Sequence, residues 1–277
     1  MGAMASAAPV GNIGAPLLWG EGFLVSGGLY NVTASIDFDS QKNDLPDQQT
    51  RVKWAANPTA ANPEYRHYEQ IRSSKNEYFT NGMTLGATIK QANMIYLMAG
   101  VVNSKVNLTY YDKTINFGYT TKANFESDND FYYGIGWSSI IHEGHFMEDT
   151  PVRFGLDTKY RKLKMEDDDL SSSGKFYSTS LDEFQFALVL SAEVGNIFPY
   201  FGCRISSITG SEHFIDKNIV GSYYENGYID YHRDIKWFKN TGYLAGASYY
   251  IKELVIVNLE LRSGSEEGIG FSTTVKF

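Results

Sequence analysis

The chain has 277 residues, a formal net charge of -8 and one cysteine, Cys203. The acidity argues against a nucleic-acid partner, and the lone thiol excludes an intramolecular disulfide framework or a cysteine-based metal site. No apolar run approaches the ~20 residues of a membrane helix, which leaves a membrane β-barrel open, because its lipid face is spread over alternating positions.

Met1 to Ala5 reads as a tag remnant, so residues 1–16 are expected to be that remnant plus a periplasmic segment, with one barrel over 17–277. The first strand follows. Tyr30, Val32, Ala34, Ile36 and Phe38 alternate with Asn31, Thr33, Ser35, Asp37 and Asp39, a period of two with one wet face. Gln41 to Lys75 is polar, contains Pro46, Pro58 and Pro63, and predicts a long loop. Met83, Leu85, Ala87 and Ile89 then mark a strand, Gln91-Ala92-Asn93 a turn, and Met94 to Val102 the returning strand. A short segment, Val106 to Tyr111, precedes a row of Ile115, Phe117, Tyr119, Thr121, Ala123 and Phe125.

After Glu126 to Asn129, the outer row is Phe131, Tyr133, Ile135, Trp137, Ser139 and Ile141. Pro151 to Lys164 sets Val152, Phe154, Leu156, Thr158 and Tyr160 against Arg153, Gly155, Asp157, Lys159 and Arg161. Charges on one face of a strand cannot be packed in a dry sandwich core at tolerable cost; they call for bulk solvent or a water-filled lumen. An acidic loop, Glu166 to Asp169, leads to a strand with Phe184, Phe186, Leu188 and Leu190. Gly195-Asn196 turns into Ile197 to Ile208, and Ser211 to Asn240 predicts a second long loop. In the closing stretch, Val255, Val257, Leu259 and Leu261 alternate with Asn258, Glu260 and Arg262, and the final row ends on Phe277.

Apolar residues outward, polar ones inward and a terminal aromatic residue are the pattern of a transmembrane antiparallel up-and-down barrel. The count is about twelve strands, with Val106 to Tyr111 as one of them; the alternative is about ten, with the Ser104 to Asn129 region as one β-rich outer loop. The long loops fall outside and the short turns in the periplasm of a bacterial outer membrane. The lumen row then holds Lys90, Lys122, Arg153, Asp157, Lys159, Arg161, Glu183, Glu193, Arg204, Glu260, Arg262 and Lys276. A mixed-charge ring in water filters small solutes, and Arg153, Lys159 and Arg161 are the expected constriction. The alternative is a lumen plugged by the same residues as salt bridges. Passive diffusion implies no cofactor and no catalytic residue.

His142 and His145 lie in a turn with no third ligand, so no metal is expected. His213, Asp216, Asp230, His232 and Asp234 supply bases and carboxylates for a rim hydrolase, but nothing at a recognisable spacing supplies a nucleophile. Adhesion or antigen display through the long loops is a further alternative. The partners expected are outer-membrane lipid, small hydrophilic solutes or ions, and the barrel-assembly machinery, which would read the strand ending at Phe277.

Three stretches carry a family resemblance. Pro9 to Pro16 (PVGNIGAP), followed by Leu18 to Gly22 (LWGEG), resembles the mature amino terminus of the chlamydial major outer membrane protein. Glu77 to Asn103 resembles that family's second hairpin, and Ile197 to Ser207 its Pro-Tyr-Ile-Gly strand. The resemblance implies an outer-membrane porin. The chain departs from the family in being shorter and in lacking its many cysteines, so a disulfide-linked envelope role does not carry over.

Overall fold

The structure is a computed structural model describing residues 30–55, 65–89, 93–112, 120–146, 150–169, 174–221, 224–251, 254–264 and 267–277. Within these, side chains are defined outside 30–31, 43–55, 65–76, 108–124, 128, 167–169, 216–233 and 235–240. Ten strands close one antiparallel barrel: β1 (Tyr30–Ala55), β2 (Tyr65–Ile89), β3 (Asn93–Asp112), β4 (Thr120–Phe146), β5 (Thr150–Asp169), β6 (Lys175–Ala192), β7 (Ile197–Gly221), β8 (Tyr224–Ile251), β9 (Val255–Gly264) and β10 (Glu267–Lys276). Each pairs with its sequence neighbours, and β1 closes the ring on β10 from Thr33↔Lys276 to Lys42↔Glu267.

The count is ten, the lower of the two expected, and the reason is visible in the ladders. Val106 to Tyr111 is the outer half of β3, paired with β4 as far as Tyr111↔Thr120. Much of what reads as loop is likewise strand. β1 and β2 stay paired out to Ala55↔Tyr65, so the Gln41 to Lys75 stretch is largely a hairpin. β7 and β8 pair out to Gly221↔Tyr224, so Ser211 to Asn240 is a second hairpin. Pro46 is accommodated where the β1 register shifts, between Leu45 and Gln48, as expected for a residue that cannot donate to a ladder.

Two heights of wall result. β9 and β10 have 10 residues each, whereas β7 and β8 have 25 and 28. Above the short hairpin β1 and β8 pair directly, from Lys53↔Asp230 to Ala55↔Tyr228. The ten-stranded ring therefore narrows to eight strands at its outer end.

The outward rows include Val32, Ile36, Phe38, Leu85, Leu97, Ile135, Phe184, Phe201, Leu259, Leu261 and Phe271, all exposed. They run for about eight to ten residues per strand, which at ~3.3 Å per residue and a tilt near 40° spans about 20–25 Å. That is the thickness of a barrel's lipid belt. So much apolar surface on a soluble protein would drive aggregation. Ion pairs sit at its outer edge, among them Lys42–Glu77 at 3.2 Å, Lys105–Glu126 at 3.0 Å and Lys162–Asp182 at 3.5 Å.

Candidate functional site in the barrel interior

The alternation on β5 fixes what enters the lumen. Phe154, Leu156 and Tyr160 face outward; Asp157, Lys159 and Arg161 face inward and are almost wholly buried. A charged side chain at this depth needs a partner, and each of the three finds one, on its own strand or on another strand of the barrel. Arg161 Nη2 lies 2.7 Å and Nε 2.9 Å from Glu183 Oε2 on β6, and the guanidinium sits 5.7 Å from the centroid of the Tyr132 ring. Lys159 Nζ is 3.5 Å from Asp157 Oδ2, while Tyr96 Oη donates to Asp157 Oδ1 at 2.7 Å. Across the barrel, Arg262 bonds Asp39 and stands 3.9 Å from Glu260, to which Tyr200 Oη donates at 3.2 Å. Gln41 donates to the second oxygen of Asp39.

Glycines make this packing feasible. Gly136 and Gly134 stand opposite Lys159 and Arg161 in the β4–β5 ladder; Gly268 stands opposite Arg262, and Gly270 opposite both Glu260 and Asp39. A Cβ on Gly268 would come 2.6 Å from Arg262 Nη2. Small backbone positions thus hold the large charged groups of the facing strand, and the lumen is filled. A ten-stranded barrel is only slightly wider than the eight-stranded size that side chains can fill.

The remaining expected lumen residues are distributed as follows. Arg204 on β7 and Lys276 on β10 point inward and are buried. Arg153 sits at the periplasmic end, 2.9 Å from Glu143 and 3.2 Å from Glu193; it belongs to the rim and not to a constriction shared with Lys159 and Arg161. Lys122 lies in the outer half of β4, opposite Thr109, and its side chain is outside the described ones. Lys90 is outside the described residues, as is the stretch resembling a chlamydial amino terminus. The Phe277 amide donates to Val32 O at 2.9 Å, extending the β1–β10 seam to the last residue.

The water-filled ring expected at Asp157, Lys159, Arg161, Glu183, Arg204, Glu260 and Arg262 is instead a solid lattice; none of these residues is more than 4% exposed. Asp39, Gln41, Tyr96 and Tyr200 belong to it but are not singled out by sequence. Asp39 falls on the wet row of β1, which was a usable signal. Tyr96 and Tyr200 stand among apolar neighbours and gave none.

Above the lattice the interior turns apolar. Tyr132, Leu163, Met165, Leu181 and Ile208 form one buried cluster. Higher still, Phe125 lies 5.4 Å from Tyr177 and 4.6 Å from Phe214, ring centre to ring centre. His213 alternates with the inward Glu212 and Phe214, so it faces outward, where its ring meets Phe176 at 5.4 Å. His142 and His145 are three apart on a regular end of β4 and fall on opposite faces. Among the described residues, no group of three or more His, Cys, Asp or Glu could hold a metal ion.

No family model and no curated protein matches the sequence. Solved structures do. The outer membrane protease OmpT from Escherichia coli matches with a TM-score of 0.51 at 12% identity, over 89% of this chain and 95% of that one. The beta domain of the Bordetella autotransporter BrkA matches with a TM-score of 0.40 at 8% identity, over 90% of this chain and 100% of that one. The Ralstonia pickettii toluene transporter TbuX matches with a TM-score of 0.33 at 6% identity, over 90% and 89%. At such identities the OmpT likeness speaks for the fold alone. Fold and lipid belt together make this chain a β-barrel of the bacterial outer membrane.

Proposed function

We propose that this barrel is sealed at membrane level and works through the rigid β-structured extension that it holds above the membrane, as a surface recognition or adhesion element. The observation that carries this reading is the filled lumen: the side chains expected to line a pore meet each other instead of solvent. The extension has its own apolar core, so it is a stiff platform that presents its outer face at little cost in ordering entropy. A rim hydrolase is disfavoured by the outward placement of His213, whose ring packs on Phe176; the side chains of Asp216, Asp230 and His232 lie outside the described ones.

The porin function that the chlamydial resemblance implies is the second reading. It is favoured by the chemistry of the seal, since a lumen of carboxylates and cations suits passage of hydrophilic solutes once it opens. Conductance of the refolded protein in a planar bilayer separates the two. The sealed reading expects no stable ohmic steps from the wild type, and steps from a variant emptied by Arg161→Ala and Arg262→Ala. Stable steps from the wild type would establish passive diffusion and sink the sealed reading.

A further inference from the structure

The two tyrosines that bond carboxylates in the lattice are built on one plan. Tyr96 on β3 stands opposite Gly136 on β4, and its hydroxyl crosses that strand to reach Asp157 on β5. Tyr200 on β7 stands opposite Gly246 on β8, and its hydroxyl crosses that strand to reach Glu260 on β9. Each bond skips one strand. Each also joins residues nearly equally far apart in sequence, 61 and 60 positions.

The carboxylates match as well. Asp157 Oδ1 accepts from Tyr96, while Oδ2 faces Lys159 Nζ at 3.5 Å. Glu260 Oε2 accepts from Tyr200, while Oε1 faces Arg262 Nε at 3.9 Å. In both cases the cation is two residues beyond the carboxylate, on the same inward row. All six side chains are at most 6% exposed. The strands β3 to β5 and β7 to β9 lie four positions apart in the ring of ten, so the two arrangements occupy facing walls.

Their common geometry has a physical cause. Strands two apart in a sheet are separated by about 9.6 Å, which side chains bridge only if one is long and the strand between carries none. The glycine supplies that gap: a Cβ on Gly136 would strike the Tyr96 ring, and one on Gly246 the Tyr200 ring. A tyrosine has only two torsions to freeze, and its bond to an ionised carboxylate is strong in a low-dielectric interior. The hydroxyl thereby fixes the carboxylate, and the carboxylate fixes the cation.

We propose that the seal is built from two copies of one latch, with Tyr96 and Tyr200 as its positioning residues. Each hydroxyl holds a carboxylate–cation pair in the closed lumen, and loss of that bond frees the pair to move and admit solvent. The inference rests on the sealed reading of the barrel and names the bonds that keep it sealed. Tyr177 supplies the contrast. It also donates to a buried carboxylate, Glu212 at 3.2 Å, but it does so above the lattice and to the adjacent strand, so no part of the seal depends on it.

The test is planar-bilayer conductance of refolded Tyr96→Phe, Tyr200→Phe and Tyr177→Phe beside wild type, each first shown to keep the mobility of folded barrel on unheated gels. Phenylalanine keeps the ring over the glycine and removes only the bond. Tyr96→Phe and Tyr200→Phe should each show openings that the wild type lacks, while Tyr177→Phe stays as silent as wild type. If a latch variant does not fold, Asp157→Asn or Glu260→Gln weakens the same bond from the acceptor side and should open the barrel likewise. A wild type that conducts sinks the sealed reading itself. A silent wild type with either latch variant also silent overturns this inference alone, because ring packing and not the bond then makes the seal. Openings in Tyr177→Phe like those of the latch variants overturn it too, since they would come from general loosening of the barrel.

Discussion

Replacing Arg161 by Met leaves the Glu183 carboxylate buried in the barrel interior without the guanidinium that lies 2.7 Å away. Both side chains are 1% exposed, so solvent cannot take over the charge. Removing one member of a buried pair costs about 3–5 kcal/mol, whereas replacing both by apolar groups of similar size is near neutral or stabilising. Arg161→Met also gives up its place over the Tyr132 ring, worth about 1–2 kcal/mol when desolvated, and so should sit at the upper end of the range. Glu183→Leu should lose about 3 kcal/mol, and the double variant should return to within about 1 kcal/mol of wild type. The assay is urea unfolding in lipid vesicles, followed by tryptophan fluorescence and by the mobility shift of folded barrel on unheated gels. The coupling energy should reach about 3 kcal/mol or more, well above the few tenths expected of independent sites. Single variants within about 1 kcal/mol of wild type, with additive losses in the double, would refute the reasoning. They would place the pair in high-dielectric water, where such contacts are worth about 0–1 kcal/mol, and the lumen would then be wet.

Three further outcomes follow from the same geometry. Gly136→Ala drives a Cβ into the Tyr96 ring and should cost about 1–3 kcal/mol by overpacking, read as a lower urea midpoint at unchanged gel mobility. Leu97→Arg places a cation on the lipid face at a residue 58% exposed and should cost about 2–4 kcal/mol near the bilayer midplane, measured by folding yield and stability in vesicles. Cys203 lies on the outward row between Phe201 and Ile205 and is exposed, so in bilayers it should react with N-ethylmaleimide and resist a charged maleimide. Labelling by the charged reagent at the rate seen in unfolded protein would place β7 in the opposite phase.

The faces of each strand in the membrane were legible from sequence because lipid and lumen impose opposite chemistries on a period of two. On β5 the sorting of Phe154, Leu156 and Tyr160 from Asp157, Lys159 and Arg161 needs nothing beyond that rule. Whether the lumen is open was not legible. It depends on which charges meet across the ring, and Arg262 finds Asp39 at a separation of 223 residues. It depends also on glycines opposite large side chains, and opposition is set by register, which single strands do not reveal. The strand count failed in its preferred form for another reason. Segments beyond the belt, such as Val106 to Tyr111, read as loops or extra strands because lipid no longer imposes its alternation there.

That last failure points to the organising physics of the molecule. Along β5 the inward residues run Asp157, Lys159, Arg161, then Leu163 and Met165, while the outward ones run Leu156, Thr158, Tyr160, then Lys162 and Lys164. The backbone phase never slips: the ladder to β6 is continuous from Val152 to Asp169. Only the chemistry of the two faces exchanges. β6 exchanges at the same height, between Glu183 and Leu181, and β7 between Ser206 and Ile208; these positions are joined by Leu163↔Leu181 and Glu183↔Ile208. Below that height the outside is hydrocarbon, so an apolar interior gains little, and ion pairs and hydrogen bonds hold much of it together beside a smaller apolar cluster of Ala187, Val189, Tyr200 and Leu244. Above it the outside is water, and the hydrophobic effect again rewards an apolar core. The exchange line marks where the membrane ends on the wall, and it explains why one continuous strand can be a membrane strand over half its length and a soluble one over the rest.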